Sequence, residues 1–104
     1  MAVLTGSGIA GVALQAAGTL IYNGSAGTWG PTVLYLTNVA AAASTVTIGI
    51  GADTTIAAAE TIFKTTIPAG QTVLVPMDKM TAGNDLNGSC SVNNDVTAVL
   101  MDSA

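Results

Sequence analysis

Apolar and small polar residues alternate with a period of two along much of this chain. In "STVTIGIG" (44–51), Val46, Ile48 and Ile50 point one way and Thr45, Thr47, Gly49 and Gly51 the other, as in a half-buried strand. "TVLYLTN" (32–38) divides in the same manner, with Leu34 and Leu36 on one side and Val33, Tyr35 and Thr37 on the other. Shorter strands are predicted at "TLIYNG" (19–24), which ends in an Asn-Gly turn signal, and at "ETIFKTTI" (60–67), which offers Ile62 to the interior with Phe63 as a second candidate. "QTVLVPM" (71–77) reads as a strand that Pro76 confines to an edge or a strand end. Two more are expected around 86–92 and 96–101, divided by a turn at Asn93-Asn94-Asp95. Pro68-Ala69-Gly70 and residues 80–85 supply further turns, and 25–31 is a loop in which Pro31 sets the start of the next strand.

Four consecutive alanines, Ala40 to Ala43, would suit a helix, but a helix of one turn does not hold by itself. They are therefore expected to form the loop of a β-hairpin joining 32–38 to 44–51. Apart from a helical turn in "TIAAAET" (55–61), no helix is predicted. Strands of this length at even spacing indicate an all-β fold, a single antiparallel β-sandwich of jelly-roll type. Val46, Ile48, Ile50, Leu34, Leu36, Cys90, Val96, Ala98 and Leu100 should lie inside. Residues 1–18, rich in glycine and alanine, are expected to be an arm reaching a neighbour or a first strand, ahead of a sandwich domain over 19–104. The 104 residues suit one domain, able to bury roughly 65% of its unfolded surface.

Composition changes the picture from fold to setting. Half of the residues are hydrophobic, yet only 8% are charged, where an ordinary domain carries about 25%. Thr, Ser, Asn, Gly and Ala take the place of charge, and such residues sit comfortably against other protein. A subunit of an assembly is the expectation. With no histidine, no arginine and two lysines, the chain cannot build the cationic patch that phosphate neutralisation needs, so no nucleic-acid partner is expected. A polybasic membrane contact fails likewise, and histidine-dependent acid–base chemistry and His-containing metal sites are excluded. The first 18 residues lack the basic start of a signal peptide, glycines interrupt their apolar runs, and nowhere do about 18 apolar residues follow one another as a membrane span requires.

Candidate chemistry is sparse. Asn84, Asp85, Asn93, Asn94 and Asp95 could offer oxygen to calcium, but these residue types recur in turns for backbone reasons and no calcium-loop motif is present, so no metal and no cofactor are expected. No nucleophile motif accompanies the carboxylates and aromatic residues are few, so no catalytic residue is assigned and no enzyme is expected. Cys90 stands alone, ruling out an internal disulfide; it reads as a buried structural thiol. Trp29, in "AGTWGP", has three readings: a loop tryptophan folded over the end of the sandwich, an anchor at an interface, or a platform for a sugar. Val33 and Tyr35 would be left outside if Leu34 and Leu36 face the core, and are candidates for an interface between copies.

Several pieces in order, "LIYNGSAGTWGPTVLYLTN", "AAASTVTIGIG", "TTIPAGQTVLVP", "MTAGNDL" and "CSVNNDVTAVL", resemble a small β-sandwich module of virion proteins of tailed bacteriophages. The likeness covers Leu20 to Met101, about four-fifths of the chain, and runs through Leu36-Thr37-Asn38, the Ile67-Pro68-Ala69-Gly70 turn and the Ala82-Gly83-Asn84 turn. What the resemblance implies is a structural protein of the virion, made in the host cytoplasm. Its leading form is a capsid decoration (cement) protein, with the major capsid protein as partner and a homo-oligomer, a trimer, as its state. A tail- or neck-associated protein is the alternative under the same resemblance. From another class, a carbohydrate-binding or adhesive module would use Trp29 and Tyr35.

Overall fold

The computed structural model describes residues 9–23, 32–77 and 85–102. They form eight strands: β1 Ile9–Ala13, β2 Thr19–Tyr22, β3 Thr32–Asn38, β4 Ser44–Gly51, β5 Thr61–Ile67, β6 Thr72–Met77, β7 Asp85–Cys90 and β8 Val96–Asp102. The fold is all-β, with two four-stranded antiparallel sheets. Sheet A has the order β1-β8-β3-β6 and sheet B the order β2-β7-β4-β5. Among the described residues the one helical element is a 3₁₀ turn, Ala58–Glu60, inside the stretch where a turn was expected. Within 1–18, Ile9–Ala13 is a strand paired with Thr97–Met101 of β8; residues 1–8 and Trp29 lie outside the described residues.

Period-two patterning decides which side chains meet. Leu34 and Leu36 of β3 and Val96, Ala98 and Leu100 of β8 are buried in one cluster with Ile21, Val46, Ile48, Ile67, Leu86 and Cys90 of sheet B and with Leu14, just past β1. Each large aliphatic side chain so buried contributes roughly 1.5–3 kcal/mol. Of the expected interior only Ile50 is half-buried, packed against the cluster's margin. Pro76 sits on β6 at the outer edge of sheet A, where its missing N–H removes no ladder bond on the open side.

Two expectations are corrected. Ile62 is 47% exposed, while Phe63 packs against the core. The parity of β5 is set by its pairing with β4, which places Ile67 opposite Ser44, Thr65 opposite Val46 and Phe63 opposite Ile48; a one-residue offset turns every side chain to the other face. Secondly, the alanine segment does not close a hairpin. Strand β3 already lies between β8 and β6, and β4 between β7 and β5, so residues 39–43 cross from sheet A to sheet B. The turn at Asn93-Asn94-Asp95 crosses likewise from β7 to β8. Among the described strands only β4 and β5 are both consecutive and hydrogen-bonded to each other.

Asn38 explains the alanines. Its side chain is fully buried: Nδ2 donates to the carbonyls of Ala42 and Ile67, each at 2.8 Å, and Oδ1 accepts from the N–H of Ala40 at 2.8 Å. The connection is wrapped around one amide group, and small side chains let it curl that tightly.

The link from β4 to β5 takes another course. Residues 52–60 fold back over the outer face of sheet B, where Ile56 and the carboxylate of Glu60 occupy the space that side chains at Gly49 and Gly51 would need. Asn87 secures the start of this segment, its Nδ2 donating to the carbonyls of Asp53 (2.9 Å) and Gly51 (3.3 Å).

Candidate functional site

Antiparallel partners share a face, so the registers define what sheet A presents outward. Tyr35 stands between Leu74 of β6 and Val99 of β8, with Gly11 of β1 beyond Val99. Val33 stands between Pro76 and Met101 in the neighbouring row. A third row, Thr72, Thr37, Thr97 and Ala13, closes one end, and there the hydroxyls of Thr37 and Thr72 lie 2.9 Å apart. Leu34 and Leu36, the alternate residues of β3, are fully buried, which fixes Val33 and Tyr35 on the outside, each half-buried by its neighbours. Leu74 is 53% exposed.

These three rows contain no charged residue. Two of them form a patch of Val33, Tyr35, Leu74, Pro76, Val99 and Met101, on the order of 200 Å² in projection given the spacing of strands and residues. An antiparallel sheet that faces water on one side ordinarily alternates apolar-in with polar-out. In these two rows sheet A is apolar on both sides, which makes its outer face the interface candidate of the described residues. Sheet B behaves conventionally by comparison, with Thr45, Thr47, Thr66, Lys64 and Ser89 on its outer rows.

Val33 and Tyr35 are thus brought together by one strand; Trp29 lies outside the described residues. Sequence reasoning did not name Leu74, Pro76, Val99 and Met101 as their companions. The signal for two of them was present, since placing Val96, Ala98 and Leu100 inside leaves Val99 and Met101 on the opposite side. What could not be read was that β3 would have β6 and β8 as neighbours.

The other candidates fill structural positions. Cys90 is buried, its Sγ 3.0 Å from the carbonyl oxygen of Val92 and 3.5 Å from that of Leu14. Asn94 has φ 68° and accepts from Gln15 Nε2 at 2.7 Å, while Asn93 Oδ1 accepts from the N–H of Ala16 at 2.8 Å; both oxygens tie the β1–β2 loop to the β7–β8 turn. Among the described residues no three His, Cys, Asp or Glu side chains are grouped to hold a metal ion, and no helix is long and apolar enough to cross a membrane. Chelation with EDTA is expected to leave the melting temperature unchanged; a fall that calcium restores would contradict this use of the asparagines.

No family model matches the chain, and neither the curated proteins nor the solved structures yield a match.

Proposed function

We propose that this chain is a structural protein of a tailed-bacteriophage virion, without catalytic activity, that decorates the capsid by seating the outer face of sheet A on neighbouring shell subunits. The observation that carries the reading is the uncharged apolar field around Tyr35. At about 200 Å² it is well short of the roughly 800 Å² per partner of a stable pairwise interface, so the protein would hold by repetition, each copy adding a modest contact to a symmetric array. The trimeric state and the capsid location follow from the sequence resemblance to phage β-sandwich modules. We also read the two sheets as a jelly roll. The orders β1-β8-β3-β6 and β2-β7-β4-β5 support it, because eight strands passing from sheet to sheet, with one hairpin at β4–β5, is the doubled Greek-key arrangement used by many capsid and lectin domains.

The test is co-sedimentation with shells that lack the protein, with tails as a second arm. Tyr35→Glu combined with Leu74→Glu places two charges in the field and is expected to weaken binding about a hundredfold while leaving the melting temperature near that of the parent. Retention of the double variant equal to the parent's would overturn the assignment of the face. Parent protein that stays monomeric at micromolar concentration and binds neither shells nor tails would overturn the function.

A further inference from the structure

Sheet B carries a groove on its outer side of about 540 Å³, within the size range of small-molecule sites. Its floor is a row across three strands: Lys64 of β5, Thr47 of β4 and Ser89 of β7 are successive cross-strand partners, so that the side chains of one lysine and two hydroxyl residues leave the sheet side by side, their Cβ atoms about 5 Å apart. Thr55 and Ile56, from the segment folded back over the sheet, and Ala17, from the β1–β2 loop, complete the lining.

Hydroxyls elsewhere on the same face are mutually satisfied. Thr45 Oγ1 lies 3.0 Å from Thr66 Oγ1, and Ser91 Oγ bridges to the main chain of Thr45. One row further along, the side chains of Lys64, Thr47 and Ser89 have no hydrogen-bond or ion-pair partner among the described residues. The acids nearest in sequence are engaged: Asp53 Oδ1 accepts from the N–H of Thr55 and Glu60 Oε1 from that of Ala57, each at 3.1 Å.

We infer that this groove binds a small monocarboxylate bearing hydroxyl groups, of the class of a uronic-acid residue in a saccharide. Lys64 supplies one compact positive charge for the carboxylate. Thr47, Ser89 and Thr55 each donate and accept, which matches the hydroxyls of a polyol better than an apolar acid. A single lysine in the groove, on a chain of net charge −4, disfavours phosphates and other multiply charged ligands through the repulsion of the whole molecule. The site lies on the opposite sheet from the apolar field and does not depend on the virion reading.

A titration of the ¹⁵N-labelled full chain with glucuronate, followed by amide chemical shifts, tests this directly. Saturable shifts confined to the amides around Ala17, Thr47, Thr55, Lys64 and Ser89 are expected, with a dissociation constant on the order of 1 mM. Glucose, which lacks the charge, and acetate, which lacks the hydroxyls, should each bind about tenfold more weakly. Lys64→Gln should cost a similar factor, and Thr47→Val, nearly isosteric, a smaller one. No saturable shift with glucuronate, or an affinity that Lys64→Gln leaves unchanged, overturns the site. Acetate binding as tightly as glucuronate overturns the saccharide class.

Discussion

Gly88→Val is expected to remove a large fraction of the stability of this fold. Gly88 lies in β7 opposite Ile48 and faces inward. A Cβ there would sit 2.9 Å from Ile21 Cδ1, 3.0 Å from Leu14 Cδ2 and 3.1 Å from Ile48 Cδ1, three side chains of the shared core. Alanine asks those methyl groups to retreat by a few tenths of an ångström, and a cost of about 1 kcal/mol is expected. Valine adds two further carbons in a space already filled from three directions. Repacking must then move strands, at about 3 kcal/mol or more, a large fraction of what holds a domain of this size together. Denaturant melts of the two variants give the check. A valine variant as stable as the parent would mean that the packing around Gly88 is looser than these distances require.

The second large effect is expected at Asn38, with Asn38→Leu costing about 2–4 kcal/mol. Leucine has similar bulk but leaves the N–H of Ala40 and the carbonyls of Ala42 and Ile67 without their partner. Ala42 is exposed and can turn to water, whereas Ile67 is buried and its carbonyl has no such recourse. Asn38→Asp keeps the acceptor for Ala40 but turns a carboxylate toward two carbonyl oxygens. At neutral pH it should be at least as damaging, and acid should relieve it in part by protonating the carboxyl. Chemical denaturation of both variants at neutral and acid pH measures this. Stability within 0.5 kcal/mol of the parent, the ordinary range for a neutral surface change, would show that the loop is not organised by the amide.

These two positions also show where the sequence was legible. Alternation in 32–38, 44–51 and 96–101 identified three strands and their inner faces, because burial on one side of a pleated strand imposes that period whatever the neighbours are. Gly88 carries no such imprint: an inward glycine has no side chain to count, and only the tips of Leu14, Ile21 and Ile48 reveal why nothing larger fits. Asn38 was visible as the end of a strand but not as the organiser of the alanines, since two of its three partners, Ala40 and Ala42, were read as an ordinary hairpin loop and the third, Ile67, is distant in sequence. For the apolar field the limit was pairing. Val33 and Tyr35 followed from parity within one strand, while Leu74 and Pro76 required knowing that β6 lies beside β3. The groove was illegible for the same reason, its lysine and hydroxyls coming from three strands that local pattern does not join.

The order of sheet A has a consequence for how the protein comes into being. Strand β8, the last of the eight to leave the ribosome, is not an edge: it lies between β1 and β3. A nascent chain lacking Val96–Asp102 holds β1 with no strand to pair with and β3 with only β6 beside it, its apolar residues waiting for a partner not yet made. Closing such distant pairings is slow compared with forming local turns. Sheet A therefore cannot close until β8 has been made, and the interval before β8 arrives is when this part of the chain is most exposed to aggregation and proteolysis.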